Sequence, residues 1–216
     1  MIDSNLYVRW SVMLVLALAL GAASACGGST PEVKHYRLDL RPQQTASEVG
    51  DKPVLGIEQF TTDAAYDEPK IVYRKTPYEL NYYYYHRWAT NPGMLVTDAL
   101  RRGYAATGRF ESVSTGQVVG SDVVLSGHIS AIEEVDVTEE KWLGRVVLEM
   151  RLRDGQTGDL LWTKVFEEQE RLAERTPAGL ARAVSEALTR VVDQSADDIA
   201  QAARQSGATM SSRLGF

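Results

Sequence analysis

The sequence contains one cysteine in 216 residues, which excludes an intramolecular disulfide and a multi-cysteine zinc site. Histidine is nearly as scarce. His35, His86 and His128 are the full complement, and their wide separation gives no metal-ligand spacing. Basic side chains are in deficit, with 23 Lys plus Arg against 29 Asp plus Glu and a formal net charge of −6. That balance argues against a surface built to neutralise phosphates, so no nucleic-acid partner is expected. There is no Gly-x-x-x-x-Gly-Lys phosphate loop, no Gly-x-Gly-x-x-Gly after a strand, no Gly-x-Ser-x-Gly elbow and no His-Glu-x-x-His. The sequence therefore implies no cofactor, no metal and no catalytic residues, and it does not read as an enzyme. Long hydrophobic runs are missing too. The strongly apolar stretch Val12 to Leu20 rises only about 1.5 Å per residue as a helix, too short for a bilayer core of roughly 30 Å.

That stretch makes sense as part of a leader. A short polar segment, Met1 to Arg9, precedes it and the small residues Gly21-Ala22-Ala23-Ser24-Ala25 follow, the three regions of an export signal. Ala23-Ser24-Ala25-Cys26 resembles a bacterial lipobox, in which the cysteine thiol is acylated and the chain is cut just before it. The expectation is a signal peptide over residues 1–25, lipid attachment at Cys26 and a lipidated tether over 26–34. The alternative is an ordinary secretory signal followed by a free cysteine. Each buried acyl methylene is worth about 0.8 kcal/mol, so two or three chains hold a protein firmly on a bilayer. Gly27 stands where enteric bacteria place Asp as an inner-membrane retention signal, and by that analogy the anchor faces the periplasm from the outer membrane.

Beyond the tether, Tyr36, Leu38 and Leu40 alternate with polar neighbours, predicting a half-buried strand over His35–Leu40. Val54 to Phe60 predicts a second strand. Ile71–Arg74 and Leu80–Trp88 predict two more, joined by a turn at Thr76-Pro77. Asn91-Pro92 is a helix start, with Leu95, Ala99, Leu100 and Gly103 on one face and Gly108 at the end. Val123, Leu125, Gly127, Ile129 and Ala131 alternate with polar residues, and the pattern extends through Val135 and Val137 as one long strand. Trp142 to Leu152 and Leu160 to Glu167 follow as strands around a hairpin loop at Asp154-Gly155-Gln156-Thr157-Gly158. A last helix starts at Thr176-Pro177 and carries an apolar stripe from Leu180 to Ala203.

These elements predict an α+β fold, a largely antiparallel sheet with two helices packed on one face. No composition shift divides residues 35–205, which are expected to form one domain, with a flexible tail over 206–216. Glu133-Glu134 and Glu167-Glu168 are sequence neighbours, so on strands their side chains point to opposite faces and do not work as a pair; solvated strand charge is the expected role. The least ordinary segment is Tyr82-Tyr83-Tyr84-Tyr85-His86-Arg87-Trp88. With Tyr78 it holds five of the ten tyrosines. Tyrosine suits interfaces wet at one end, so this strand reads either as a contact surface or as an edge strand whose outer rings lie on the sheet.

The order of motifs resembles the ABC-type transport auxiliary lipoproteins, the PqiC-like family. Tyr36-Arg37-Leu38 follows the lipobox. Tyr66 to Arg74, with Pro69, Ile71, Val72, Tyr73 and Arg74, is similar to the family's run ending in Ile-Val-Tyr-Arg. Leu80, the aromatic run and Trp88-Ala89 lead into the helix of Pro92, Leu95 and Leu100. Leu125-Ser126-Gly127 and the hairpin with Leu161-Trp162 also fit, so the resemblance covers most of residues 26–170. It implies a non-enzymatic auxiliary component of a transporter comprising an ATPase, a permease and a substrate-binding protein with an MCE domain, moving phospholipid or another hydrophobic molecule. It further implies self-association, and Tyr73, Arg74, Tyr82, Tyr83, Tyr84, Tyr85 and Trp88 are candidate contacts to a neighbouring subunit or to the MCE-domain partner. A different class of reading is an LptE-like envelope assembly lipoprotein with no ATPase partner. Replacing Cys26 with Ala is expected to abolish acylation and release the protein from the membrane pellet, checked by intact-mass spectrometry and fractionation.

Overall fold

The computed structural model describes residues 31–44, 52–116 and 118–214, with side chains through Ser206. The expected signal peptide, the expected lipidation site Cys26 and the expected tether up to Thr30 lie outside the described residues. The chain forms β1 (Lys34–Tyr36), β2 (Val54–Ile57), β3 (Thr61–Thr62), a 3-10 turn at Ala64–Tyr66, β4 (Lys70–Thr76) and β5 (Glu79–Trp88). Helix α1 (Pro92–Thr107), β6 (Ser112–Thr115), β7 (Val123–Asp136), β8 (Trp142–Asp154), β9 (Leu160–Arg171) and α2 (Pro177–Leu214) complete it.

The fold is α+β, as expected, with two helices against one sheet. Its longest ladders, β7–β8 and β8–β9, are antiparallel, as is the β4–β5 hairpin. The sheet is more mixed than the sequence suggests, because β1 runs parallel to β5, β6 to β2, and β2, β3 and β4 all run parallel to β7. Strand β7 is the spine. Along one edge it pairs with β8 over its whole length; along the other it is shared by β2 near Leu125, β3 near Ile129 and β4 near Glu133.

The local chemistry explains most boundaries. Asn91 Oδ1 accepts the Gly93 N–H at 2.8 Å to start α1, Pro92 occupies the first turn, and Gly108 ends the helix in the left-handed region at φ 73°. The β8–β9 hairpin closes on Asp154 Oδ1, which accepts the N–H groups of Gln156 and Thr157, both at 2.8 Å. At the start of α2, Thr176 Oγ1 accepts from Gly179 N at 3.0 Å. That helix continues to Leu214, past the expected domain end at residue 205.

Two expectations need correction. The alternation of β7 does not run unbroken: a bulge between Ile129 and Ala131 inserts one residue. Leu125, Gly127 and Ile129 face the helices before it, and Ile132 and Glu134, paired with Val146 and Gly144, face them after it. Ala131 and Ile132 are both buried although adjacent, since they lie on opposite faces that are each covered. The strand expected over His35–Leu40 ends at Tyr36. From there the chain is strapped along α2. The N–H groups of Asp39, Arg41 and Gln43 donate to Ser185 Oγ at 3.1 Å, Thr189 Oγ1 at 3.2 Å and Asp193 Oδ1 at 2.8 Å, acceptors one helical turn apart. Leu38 is thereby buried, and Leu40 sits between the helices, where a Cβ on Gly103 would lie 3.1 Å from both Leu40 and Val192.

The core lies between sheet and helices. Leu125, Ile129, Val146, Leu148 and Met150 meet Leu180, Val184, Leu188 and Val191 of α2, while Leu95, Ala99, Leu100 and Tyr104 contribute from α1. Gly127 is the tightest point of this face, because a side chain there would drive into the buried Phe60 ring. Gly127→Ala is expected to cost about 1–3 kcal/mol of folding stability through overpacking, read as a fall in the denaturant midpoint without a change in slope.

Candidate interaction site at the aromatic hairpin

Hairpin β4–β5 hangs on the last part of β7, where Val72, Tyr73 and Arg74 register with Glu133, Glu134 and Val135. The doublet Glu133-Glu134 was expected to be solvated. Both side chains are instead fully buried, at 0% exposure. They do point to opposite faces, and the faces treat them differently.

Glu133 sits on the face away from the helices, between two guanidiniums. Its Oε1 is 2.8 Å from Arg74 Nη2 and 2.9 Å from Arg145 Nη1, and its Oε2 accepts the Tyr66 hydroxyl at 2.7 Å. Arg145 also reaches Glu167 at 2.8 Å, which holds the Glu167 carboxyl below the usual range. Tyr66 is placed by the 3-10 turn, where its N–H donates to Asp63 O at 2.8 Å, and by Asn91, whose amide clamps Asp67 just beyond. One carboxylate thus joins β4, β7, β8 and the 3-10 turn. Burying it is tolerable only because both cations and a hydroxyl donor come with it.

Glu134 faces the helix side near the end of the sheet and has no cation within hydrogen-bonding distance. Its Oε1 accepts the Tyr83 hydroxyl at 2.8 Å, and its Oε2 is buried without a hydrogen-bond partner. Burial, reinforced by the adjacent Asp136 carboxyl, pushes Glu134 up to about 7, against the lowering effect of the Tyr83 bond. Tyr83 is itself raised above the ordinary phenol range, mainly by burial and then by Glu134. The Tyr83 ring packs on Tyr73 at 5.0 Å between centroids and meets His86 edge-on at 5.9 Å; His86 Nδ1 is 2.8 Å from the Tyr36 hydroxyl.

The candidate contact residues therefore divide. Trp88 is core, at 1% exposure, and Tyr73 and Tyr83 are half-buried parts of the Glu134 cluster. Arg74 is engaged by Glu133. On the surface stand Tyr82, stacked under Lys70 at 5.4 Å, together with Tyr84 and Tyr85. Tyr84 is 86% exposed and Tyr78, at the hairpin tip, 97%. Strand β1 covers the outer edge of β5 only from His86 to Trp88, so Glu79 to Tyr85 has no strand beyond it among the described residues. The roles of Glu133, Glu134, Tyr66 and Arg145 were missed in the sequence. The available signal was the acidic doublet between the apolar pair Ala131-Ile132 and Val135. Among the described residues no cluster of His, Cys, Asp and Glu is arranged to hold a metal, and no helix is long and apolar enough to cross a membrane.

The family model for the ABC-type transport auxiliary lipoprotein component matches residues 36–196. No curated protein matches the sequence. Among solved structures, a DUF330-family protein from Xanthomonas campestris is similar at a TM-score of 0.70 and 19% identity, covering 81% of this chain and 99% of that one. A second protein, described as uncharacterized, is similar at a TM-score of 0.59 and 14% identity, covering 79% and 97%. At these identities the likeness is one of fold.

The Glu134 cluster sets a pH dependence. The raised folded value means that stability present below the unfolded value, 4.5, is lost as pH rises through about 7. The lowered carboxyls Asp98, Asp154, Glu167 and Asp197 act in the opposite sense, and only as pH falls into the acid range. Wild-type stability is expected to decline as pH rises from about 4.5 to about 7, and Glu134→Gln, which keeps an acceptor for Tyr83, is expected to flatten that decline in urea titrations.

Proposed function

We propose, from the premise that the chain belongs to the ABC-type transport auxiliary lipoprotein family, that it serves an MCE-type ABC transport system moving phospholipid or another hydrophobic molecule across the cell envelope. The family is one of auxiliary lipoprotein components, not of enzymes. In this reading the protein is anchored at the outer membrane by acyl chains on Cys26 and its domain faces the periplasm. Its partners are the MCE-domain substrate-binding protein, the permease and the ATPase of the same system, together with further copies of itself.

The observation that carries the reading is the family match across 36–196, which spans most of the folded body and includes the aromatic hairpin. The geometry supports an accessory role through contact. Tyr82, Tyr84 and Tyr85 present amphipathic rings on a strand whose outer edge is open, the arrangement that suits both side-chain burial and added strand pairing at an interface. Tyr83 and Arg74 contribute by holding that strand in place from behind.

Among the described residues Tyr84 and Tyr85 carry no hydrogen bond or ring contact, and both are exposed, so truncating them removes surface without opening the core. The double substitution of Tyr84 and Tyr85 by Ala is expected to leave the melting temperature unchanged while reducing self-association and recovery of the MCE-domain protein in pull-downs from membranes. If both associations persist at wild-type levels, the contact assignment is wrong. Failure of the wild-type protein to bring down any MCE-domain, permease or ATPase component would overturn the transport reading.

A further inference from the structure

We infer that the tip of the β4–β5 hairpin, Pro77 and Tyr78 with Leu80 behind them, rests in the interfacial layer of the same leaflet that holds the acyl chains. The inference goes beyond a tether at Cys26 but relies on that anchor. It rests on strand polarity. Strand β1 runs parallel to β5, with Lys34 opposite His86 and Tyr36 opposite Trp88. The chain therefore enters β1 from the direction in which β5 begins, the direction of the hairpin tip. Cys26 and Lys34 are eight positions apart, as are Tyr78 and His86. Extended, the first span reaches at most about 26–29 Å, and the second rises about 26 Å along the strand. A leaflet that holds Cys26 at full reach of this tether thus lies about level with the tip of the hairpin, and a shorter path leaves the tip projecting past the cysteine, toward the leaflet.

The tip has the chemistry for that position. Tyr78 is 97% exposed and Leu80 40%, and Pro77 is exposed beside them. An apolar side chain and a phenol projecting together at the end of a hairpin suit the boundary between headgroups and acyl chains, where tyrosine is enriched. The local charge is not of the kind that binds anionic headgroups. The exposed cations at this end, Lys75, Lys141, Arg171 and Arg175, are balanced by Glu79, Asp136, Glu139 and Glu140. Seating should accordingly be aromatic and apolar in origin, and insensitive to salt.

The full lipidated protein supplies the test, because acylation of Cys26 leaves an introduced cysteine as the single free thiol. Tyr78→Cys and, separately, Leu80→Cys would carry an environment-sensitive fluorophore, with Val119→Cys, 90% exposed and before the opposite end of β7, as reference. In vesicles of phosphatidylethanolamine and phosphatidylglycerol, the probes at 78 and 80 are expected to shift to shorter wavelength and to be quenched by spin-labelled lipid. The probe at 119 is expected to do neither, and added salt to change nothing. Vesicle-bound protein whose probes at 78 and 80 behave like the one at 119 overturns this inference alone. Protein that does not sediment with vesicles overturns the anchor and this inference with it. A wavelength shift in vesicles without quenching by spin-labelled lipid assigns the tip to protein contact and also overturns it.

Discussion

Strand β7 has to find hydrogen-bond partners on two edges at once, and the rest of the fold follows from how it does so. A buried strand leaves no backbone group unpaired without cost. Strand β8 satisfies one edge in full, whereas the other is divided among β2, β3 and β4, three short segments that arrive at different points of the chain. The bulge after Ile129 lies between the parts held by β2 and by β4, and bulges bend the strand that carries them. The sheet consequently forks, with β2 and β6 on one branch and β4, β5 and β1 on the other. Glu133 locks the second branch, since Arg74, Arg145 and Tyr66 reach it from three separate elements. Removing either cation would leave a buried carboxylate short of the interactions that offset its desolvation.

Much of this was legible in the sequence where the signal is local. Asn91-Pro92 and Gly108 mark the ends of α1 because capping is a matter of neighbouring residues. The Asp154 hairpin is equally local, and the alternation from Trp142 to Leu152 gives β8 because one face is buried throughout. What could not be read depends on distant partners. A bulge leaves a faint mark, here only the adjacent apolar pair Ala131-Ile132, and it reverses every facing after it. The residues after Tyr36 keep the alternation of a strand although their acceptors, Ser185, Thr189 and Asp193, are about 150 positions away. Alternation reports that one side is buried, and an extended strap across a helix satisfies that condition as well as a sheet does.

The candidate site shows the same limit. A run of four tyrosines announces an unusual surface, but composition cannot say which rings turn inward. The structure gives Tyr83 to Glu134 and leaves Tyr82, Tyr84 and Tyr85 outside. Nor does the doublet Glu133-Glu134 betray that one member meets two guanidiniums and the other a phenol and a second carboxyl. The contrast follows from pleating: neighbouring residues of a strand point to opposite faces, so identical side chains meet different partners. The hairpin is thus supported from behind by an ion-paired carboxylate on one face and a weakly acidic one on the other.

The path of the chain from Lys34 to Gln43 also has a mechanical side. Strand β1 lies lengthwise beside β5, so under the lipid anchoring proposed above a pull on the chain before Lys34 along the strand would load these hydrogen bonds together in shear. Any slippage that survives β1 is next resisted by the strap on α2, where three N–H groups are caught at successive turns. A protein held to a membrane at one end and to partners at another experiences such traction whenever the two move apart. Here the load passes first into the edge pair of β1 and β5 and then into α2, and peeling one bond at a time is avoided.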